Sequence, residues 1–201
     1  MDSASLLREM GAATASVRQI HLDRLRSLGV GLDTIAKLGA EFYPFGIVKA
    51  EPCAQGLYQP GQGVSHIVLP VVHDGALVDL CAFRSTNPDE WRLRTGNGWA
   101  LGLEEGVGRW MWDSPADPNA GPPKHQVGCP PHIFASPLDW LRGGCSGICV
   151  LDWRSPEIYQ LDVLESVTVS DPATAKLLTT ALTRPSRVPK IEVMGVLAHV
   201  A

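Results

Sequence analysis

Hydrophobic and polar positions change rhythm three times along the chain. Over residues 3–28, Val17, Ile20, Leu25 and Leu28 recur at roughly helical spacing with Arg18, Arg24 and Arg26 between them. This predicts mostly helix, closed at Gly29, a residue suited to a helix C-terminus. GLDTIAKLG predicts a second short helix, with Gly31 at its cap, Val30 and Ile35 as a hydrophobic staple and Gly39 at its end. The period then shortens. HIVLPVV (His66–Val72) and ALVDLCAFR (Ala76–Arg84) have strand character and flank the turn signal HDG. EWRLRTG and WALGL predict two more short strands. The first half therefore reads as a small, mostly antiparallel β unit fronted by helices.

Asp113–Pro131 holds six prolines and two glycines, a composition that predicts a linker or long surface loop. Beyond it, strands and helices alternate. His132–Ala135, Gly147–Asp152, Ser166–Ser170 and Lys190–Met194 read as strands. Pro137–Arg142, the segment opened by Ser155-Pro156-Glu157, and ATAKLLTTAL after Asp171-Pro172 read as helices. Such a series predicts a parallel sheet with right-handed crossovers, and ligands on such sheets sit beyond the carboxyl ends of the strands. The predicted fold class is α/β: an α+β N-terminal subdomain over 1–115, a Pro/Gly-rich linker over 116–131, and an α/β domain over 132–201.

Composition narrows the partners. The 201 residues are 45% hydrophobic and 19% charged, as in globular chains. The net charge of −4 gives no general pull toward nucleic acid, so any such contact needs a local cluster. No apolar run is long enough to span a bilayer, and the N-terminus lacks a signal-peptide pattern. Five cysteines at irregular spacing do not suggest a disulfide framework, so the reading is cytoplasmic, with reduced thiols and no membrane partner.

The order of these segments resembles the catalytic core of bacterial-type DNA primases, in which a helical and β subdomain precedes a Toprim domain. HLDRLRSLGVGLDTIAKLGAEFYP (His21–Pro44) is similar to the family's first helical motif. HIVLPVVHDGALVDLCAFR (His66–Arg84) is similar to its strand pair, with Pro70, Asp74, Gly75 and Arg84 at matching places, and WALGL (Trp99–Leu103) to the segment that follows. The resemblance covers roughly residues 21–183 and rests on order and spacing. It implies nucleic acid as a partner, magnesium as cofactor and carboxylates as catalysts. The departures fall on those carboxylates. FASPLDWL keeps an aspartate as Asp139 but places Ala135 where the family has its catalytic glutamate, and Ser136 where it has glycine. VSDPATA keeps Asp171, with Ala173 in place of the second aspartate. The sequence shows no counterpart of the family's zinc-binding module or helicase-binding tail.

Three readings follow. The leading one is a catalytically degenerate primase-like protein, of a kind found in phages or mobile elements. It would bind single-stranded DNA or RNA, or a replication partner, and need no cofactor. Arg84, Arg92 and Arg94 would contact phosphates and Trp91 would stack a base; a solvated strand face facing Asp89 and Glu90 is the plainer account of the same residues. The second is a divergent nucleotidyltransferase or nuclease holding magnesium with Asp139, Asp152 and Asp171. Against it, Asp171 before Pro172 suits a helix cap and Asp139 a first helical turn. The third is a structural or interaction module without nucleic acid. His125, Cys129, His132, Cys145 and Cys149 are zinc-type residues, but their spacing fits no common zinc module. Arg184, Arg187 and Lys190 read as a solubilising loop, and Trp110–Pro115 as a packing anchor.

Overall fold

The computed structural model describes residues 2–39, 44–103 and 130–183. Helices α1 (Ser3–Ala15), α2 (Gln19–Ser27) and α3 (Leu32–Gly39) come first. Strands β1 (Gly46–Pro52), β2 (Tyr58–Pro60), β3 (Val64–His73), β4 (Ala76–Arg84) and β5 (Asn87–Leu93) form an antiparallel sheet in the order β2-β1-β3-β4-β5. A second sheet has the order β6-β8-β7-β9, from β6 (Ala100–Leu101), β7 (His132–Phe134), β8 (Ile148–Val150) and β9 (Thr168–Val169). Helix α4 (Pro137–Arg142) follows β7, a 3₁₀ helix (Pro156–Val163) follows β8, and α5 (Pro172–Leu182) follows β9. The fold combines helices with a mostly antiparallel sheet and a small mixed sheet, in the α/β class the sequence predicts.

Three details depart from the sequence pattern. Residues 3–28 form two helices, because their apolar stripes serve different cores. Leu6 and Met10 of α1 pack on one face of the large sheet, against Ala50, Tyr58, Val68 and Leu80. Leu25 of α2 packs on the other, against Ile67, Leu69 and Phe83. Arg18, in extended backbone, breaks the helix, and its N–H donates to His21 Nδ1. The helix after Pro156 is 3₁₀, with Ile158, Leu161 and Leu164 all turned to one core. Apolar residues every third position suit three residues per turn. The second sheet is not purely parallel: β7 pairs parallel with β8 and β9, but β6, from the first half of the chain, adds antiparallel to β8. Strands β1 and β2 carried no clear period in the sequence. The proposed strand Lys190–Met194, the loop cations Arg184, Arg187 and Lys190, and nearly all of the linker lie outside the described residues.

The β3–β4 turn forms as the sequence predicts. Asp74 and Gly75 both have positive φ, 52° and 73°, and His73 pairs with Ala76. That is a two-residue turn whose twist matches the flanking strands, and glycine enters it without Cβ strain. The large sheet curls strongly. Although β2 and β5 are opposite edges, the Arg94 guanidinium just past β5 lies over the Tyr58 ring of β2, 5.8 Å from its centroid. Glu9 of α1 closes this seam, accepting from Arg94 Nε at 2.9 Å and from the Tyr58 hydroxyl at 3.2 Å.

One apolar core joins the sheets. Phe83, Cys81 and Val71 of the first pack with Leu101, Cys149 and Leu151 beside the second, and with Leu138, Trp140 and Leu141 of α4. The far face of the mixed sheet is covered by the 3₁₀ helix and α5 through Ile158, Leu161, Leu178 and Ala181. Side chains of this kind stabilise by roughly 1.5–3 kcal/mol each when fully buried.

Candidate functional site

The carboxyl edge of the parallel strands brings three turns together. Ala135 and Ser136 follow β7, Leu151 and Asp152 follow β8, and Ser170 and Asp171 follow β9. The acids there serve their own elements. Asp171 caps α5, its Oδ1 accepting from the Ala173 and Thr174 N–H groups at 2.8 and 2.9 Å, and its Oδ2 from the Thr174 hydroxyl. Those hydrogen bonds, the Thr174 hydroxyl first, hold its carboxyl below the usual range. Asp139 accepts from the Ser136 hydroxyl at 2.8 Å and pairs with Arg142 at 2.9 Å. Asp152 accepts from the Arg154 N–H. Among the described residues, no three His, Cys, Asp or Glu side chains are arranged to hold a metal ion.

The arginines divide. Arg84 and Arg92 share a shallow hollow of about 260 Å³ with His66, and both pair with Glu90. These bonds, Arg92 above all, hold the Glu90 carboxyl low. Burial, and the nearby Arg84 and Arg92 charges, lower the His66 pKa, while its contact with the Val64 carbonyl opposes the shift. Arg94 does not join them, because Glu9 holds its guanidinium at the seam. Trp91 points to the opposite sheet face from Arg92. Its Nε1–H donates to the Leu151 carbonyl at 3.2 Å, so the indole is partly a packing anchor between the sheets.

Trp91 and Arg92 nevertheless line one hollow, because β5 is an edge strand and its two faces meet there. This hollow, about 460 Å³, also receives Leu57, Thr95, Gly96, Asp152 and Arg154. At Gly96, Asp152 and Arg154 it meets a larger cleft of about 930 Å³, which runs past Asn97 and the Asp74 turn to Glu157 and Gln160. The two adjoining hollows make up a groove along the junction of the two sheets. It crosses the carboxyl end of β8, where the topology places a ligand.

Sequence reading missed the residue that shapes this groove. Asp79 is fully buried on β4. Its Oδ1 accepts from the N–H groups of Leu80, Arg94 and Thr95 at 2.8–3.0 Å, and its Oδ2 from those of Asn97 and Gly98 at 2.8 and 3.0 Å. Five amides thus converge on one carboxyl group and fix the loop whose Thr95, Gly96 and Asn97 line the groove. Any side chain at 98 would collide with Asp79 and Val71, so glycine permits the approach. The signal in the sequence was an acid at an inward-facing position of an apolar strand.

Among the described residues the zinc-type side chains do not assemble. Cys145 and Cys149 are buried, and burial raises the Cys149 pKa. His132 meets the hydroxyls of Thr168 and Ser170. His125 and Cys129 lie outside the described residues. No described helix is long and apolar enough to cross a membrane. Comparison with known proteins finds no matching family model, curated protein or solved structure.

Proposed function

We propose that this chain is a primase-like protein with a degenerate Toprim domain, binding single-stranded DNA or RNA in the groove between its sheets without joining or cleaving nucleotides. The observation that carries this reading is the groove itself. Trp91, Arg92 and Arg154 line it together at the carboxyl end of β8. A strand of nucleic acid needs an aromatic edge for a base and cations for successive phosphates. Arg154 is exposed and takes the place that sequence pattern gave to Arg94. Glu90, which occupies Arg92, and the groove's own acids Asp74, Asp152 and Glu157 temper the site. The absence of turnover follows from Ala135 and Ala173, which neither move a proton nor ligate magnesium, and from acids already engaged at helix ends and turns.

The test is fluorescence anisotropy of a labelled single-stranded oligonucleotide across a salt series. Binding is expected to weaken with salt, and Arg92→Ala with Arg154→Ala to weaken it further while flattening the log–log slope by about 0.7 per lost phosphate contact. Glu90→Gln is expected to tighten binding by releasing Arg92. No binding at low salt, or an unchanged slope in the double variant, leaves the interaction-module reading in place. The magnesium enzyme, with Asp139, Asp152 and Asp171 as ligands, is the remaining alternative.

A further inference from the structure

A second constellation lies away from the groove, on edge strand β9. His132 of β7 is the parallel partner of Thr168, and Thr168 and Ser170 lie on one side of β9. The imidazole therefore spans both hydroxyls. Its Nδ1 is 3.0 Å from Thr168 Oγ1 and its Nε2 is 2.8 Å from Ser170 Oγ. The ring is also held against Phe134, with centroids 4.4 Å apart. When Nδ1 carries the proton and donates it to Thr168, the Nε2 lone pair faces the serine hydroxyl. A hydroxyl and a base within hydrogen-bond reach, with the base oriented by a third group, is the arrangement that activates a nucleophile.

Four other described serines are bonded differently. Ser3, Ser16 and Ser27 donate to backbone carbonyls, which do not take a proton, and Ser136 donates to Asp139. Ser170 is exposed. The adjoining Asp171 turns its carboxyl to the amides of α5 and leaves the imidazole to Ser170.

We propose that Ser170 is a nucleophilic serine activated by His132 and positioned through Thr168, and that it takes acyl groups from small activated esters. Ser170 Oγ forms a bond to the ester carbonyl carbon as its proton passes to His132 Nε2. The carbon–oxygen bond to the alcohol then breaks, and the alkoxide leaves with that proton. Water attacks the acyl carbon, gives its proton through the same nitrogen to Ser170 Oγ, and releases the acid. No oxidant or metal is needed, and none of the three residues lines the nucleic-acid groove.

The experiment incubates the full chain with p-nitrophenyl acetate, follows nitrophenolate release and maps the acetyl group by mass spectrometry after an acid quench. The expected result is an acetyl group on Ser170, with acylation at that position slowed about 100-fold in His132→Gln, within the usual range for general-base help. Thr168→Val, which keeps the side-chain shape but removes the orienting hydroxyl, is expected to slow it about tenfold or more by the same principle. Circular dichroism checks that each variant is folded. Acetylation confined to lysines, or Ser170 acetylated equally fast in folded His132→Gln, overturns the proposal.

Discussion

Asp79 carries a structural load out of proportion to its size. Asparagine at this position keeps one acceptor oxygen but presents an NH₂ group toward donors that need an acceptor. If that group replaces Oδ2, the Gly98 amide loses its partner inside the protein, while the Asn97 amide keeps the Thr95 hydroxyl. A buried donor left unmet costs on the order of 1–3 kcal/mol, so Asp79→Asn is expected to destabilise the fold by about that amount. Urea denaturation measures it; a loss below about 1 kcal/mol would mean that the loop re-forms its bonds elsewhere. The sequence displayed the acid but not the five amides, because four of those donors come from a loop 15–19 residues further along the chain. Backbone donors leave no mark in side-chain pattern. Arg94 shows the same limit in reverse. Alternation placed it beside Arg92, and only the curl of the sheet toward Glu9 and Tyr58 takes its guanidinium away.

At the scale of elements, the carboxyl edge decides catalysis. A magnesium site for phosphoryl transfer needs carboxylates converging from several strand ends. Here the Asp171 oxygens secure the start of α5, and those of Asp139 tie the start of α4 to its last turn. The purified chain is therefore expected neither to extend primers nor to cleave phosphodiesters, with magnesium or manganese. Turnover abolished by Asp152→Asn and Asp171→Asn would install the enzyme reading instead. Strong local signals made most of these elements legible beforehand. The Asp74-Gly75 turn, the Asp171 cap, and the alternation of strand and helix from β7 to α5 all follow from short-range chemistry. What escaped was set at long range or by competing faces: the break at Arg18, the three-residue period of Pro156–Val163, and strands β1 and β2, whose partners alone make them strands.

For the molecule as a whole, the core shared by the two sheets outweighs the halves read from the sequence. Leu101 and α4 belong to the same cluster as Phe83 and Val71, and Ala100 and Leu101 pair with Val150 and Cys149. Residues 130–183 taken alone lack both that strand and that packing. A segment of roughly 50 residues sits near the lower limit for independent folding even with a complete core. It is expected to show no cooperative thermal transition by itself and to gain one when mixed with residues 2–103. A cooperative melt of the isolated segment would refute this dependence.

Strand β6 has a further consequence, for inheritance. Its two residues are encoded ahead of the Pro/Gly-rich stretch, yet they complete the sheet that lies after it. A recombination event that exchanged the second half at the obvious seam would separate β8 from its neighbour and expose Val150 and Cys149, which are now fully buried. The transferable unit must begin before Trp99. Gene fusions, chimaeras and domain swaps built on this chain should take their breakpoint upstream of that residue.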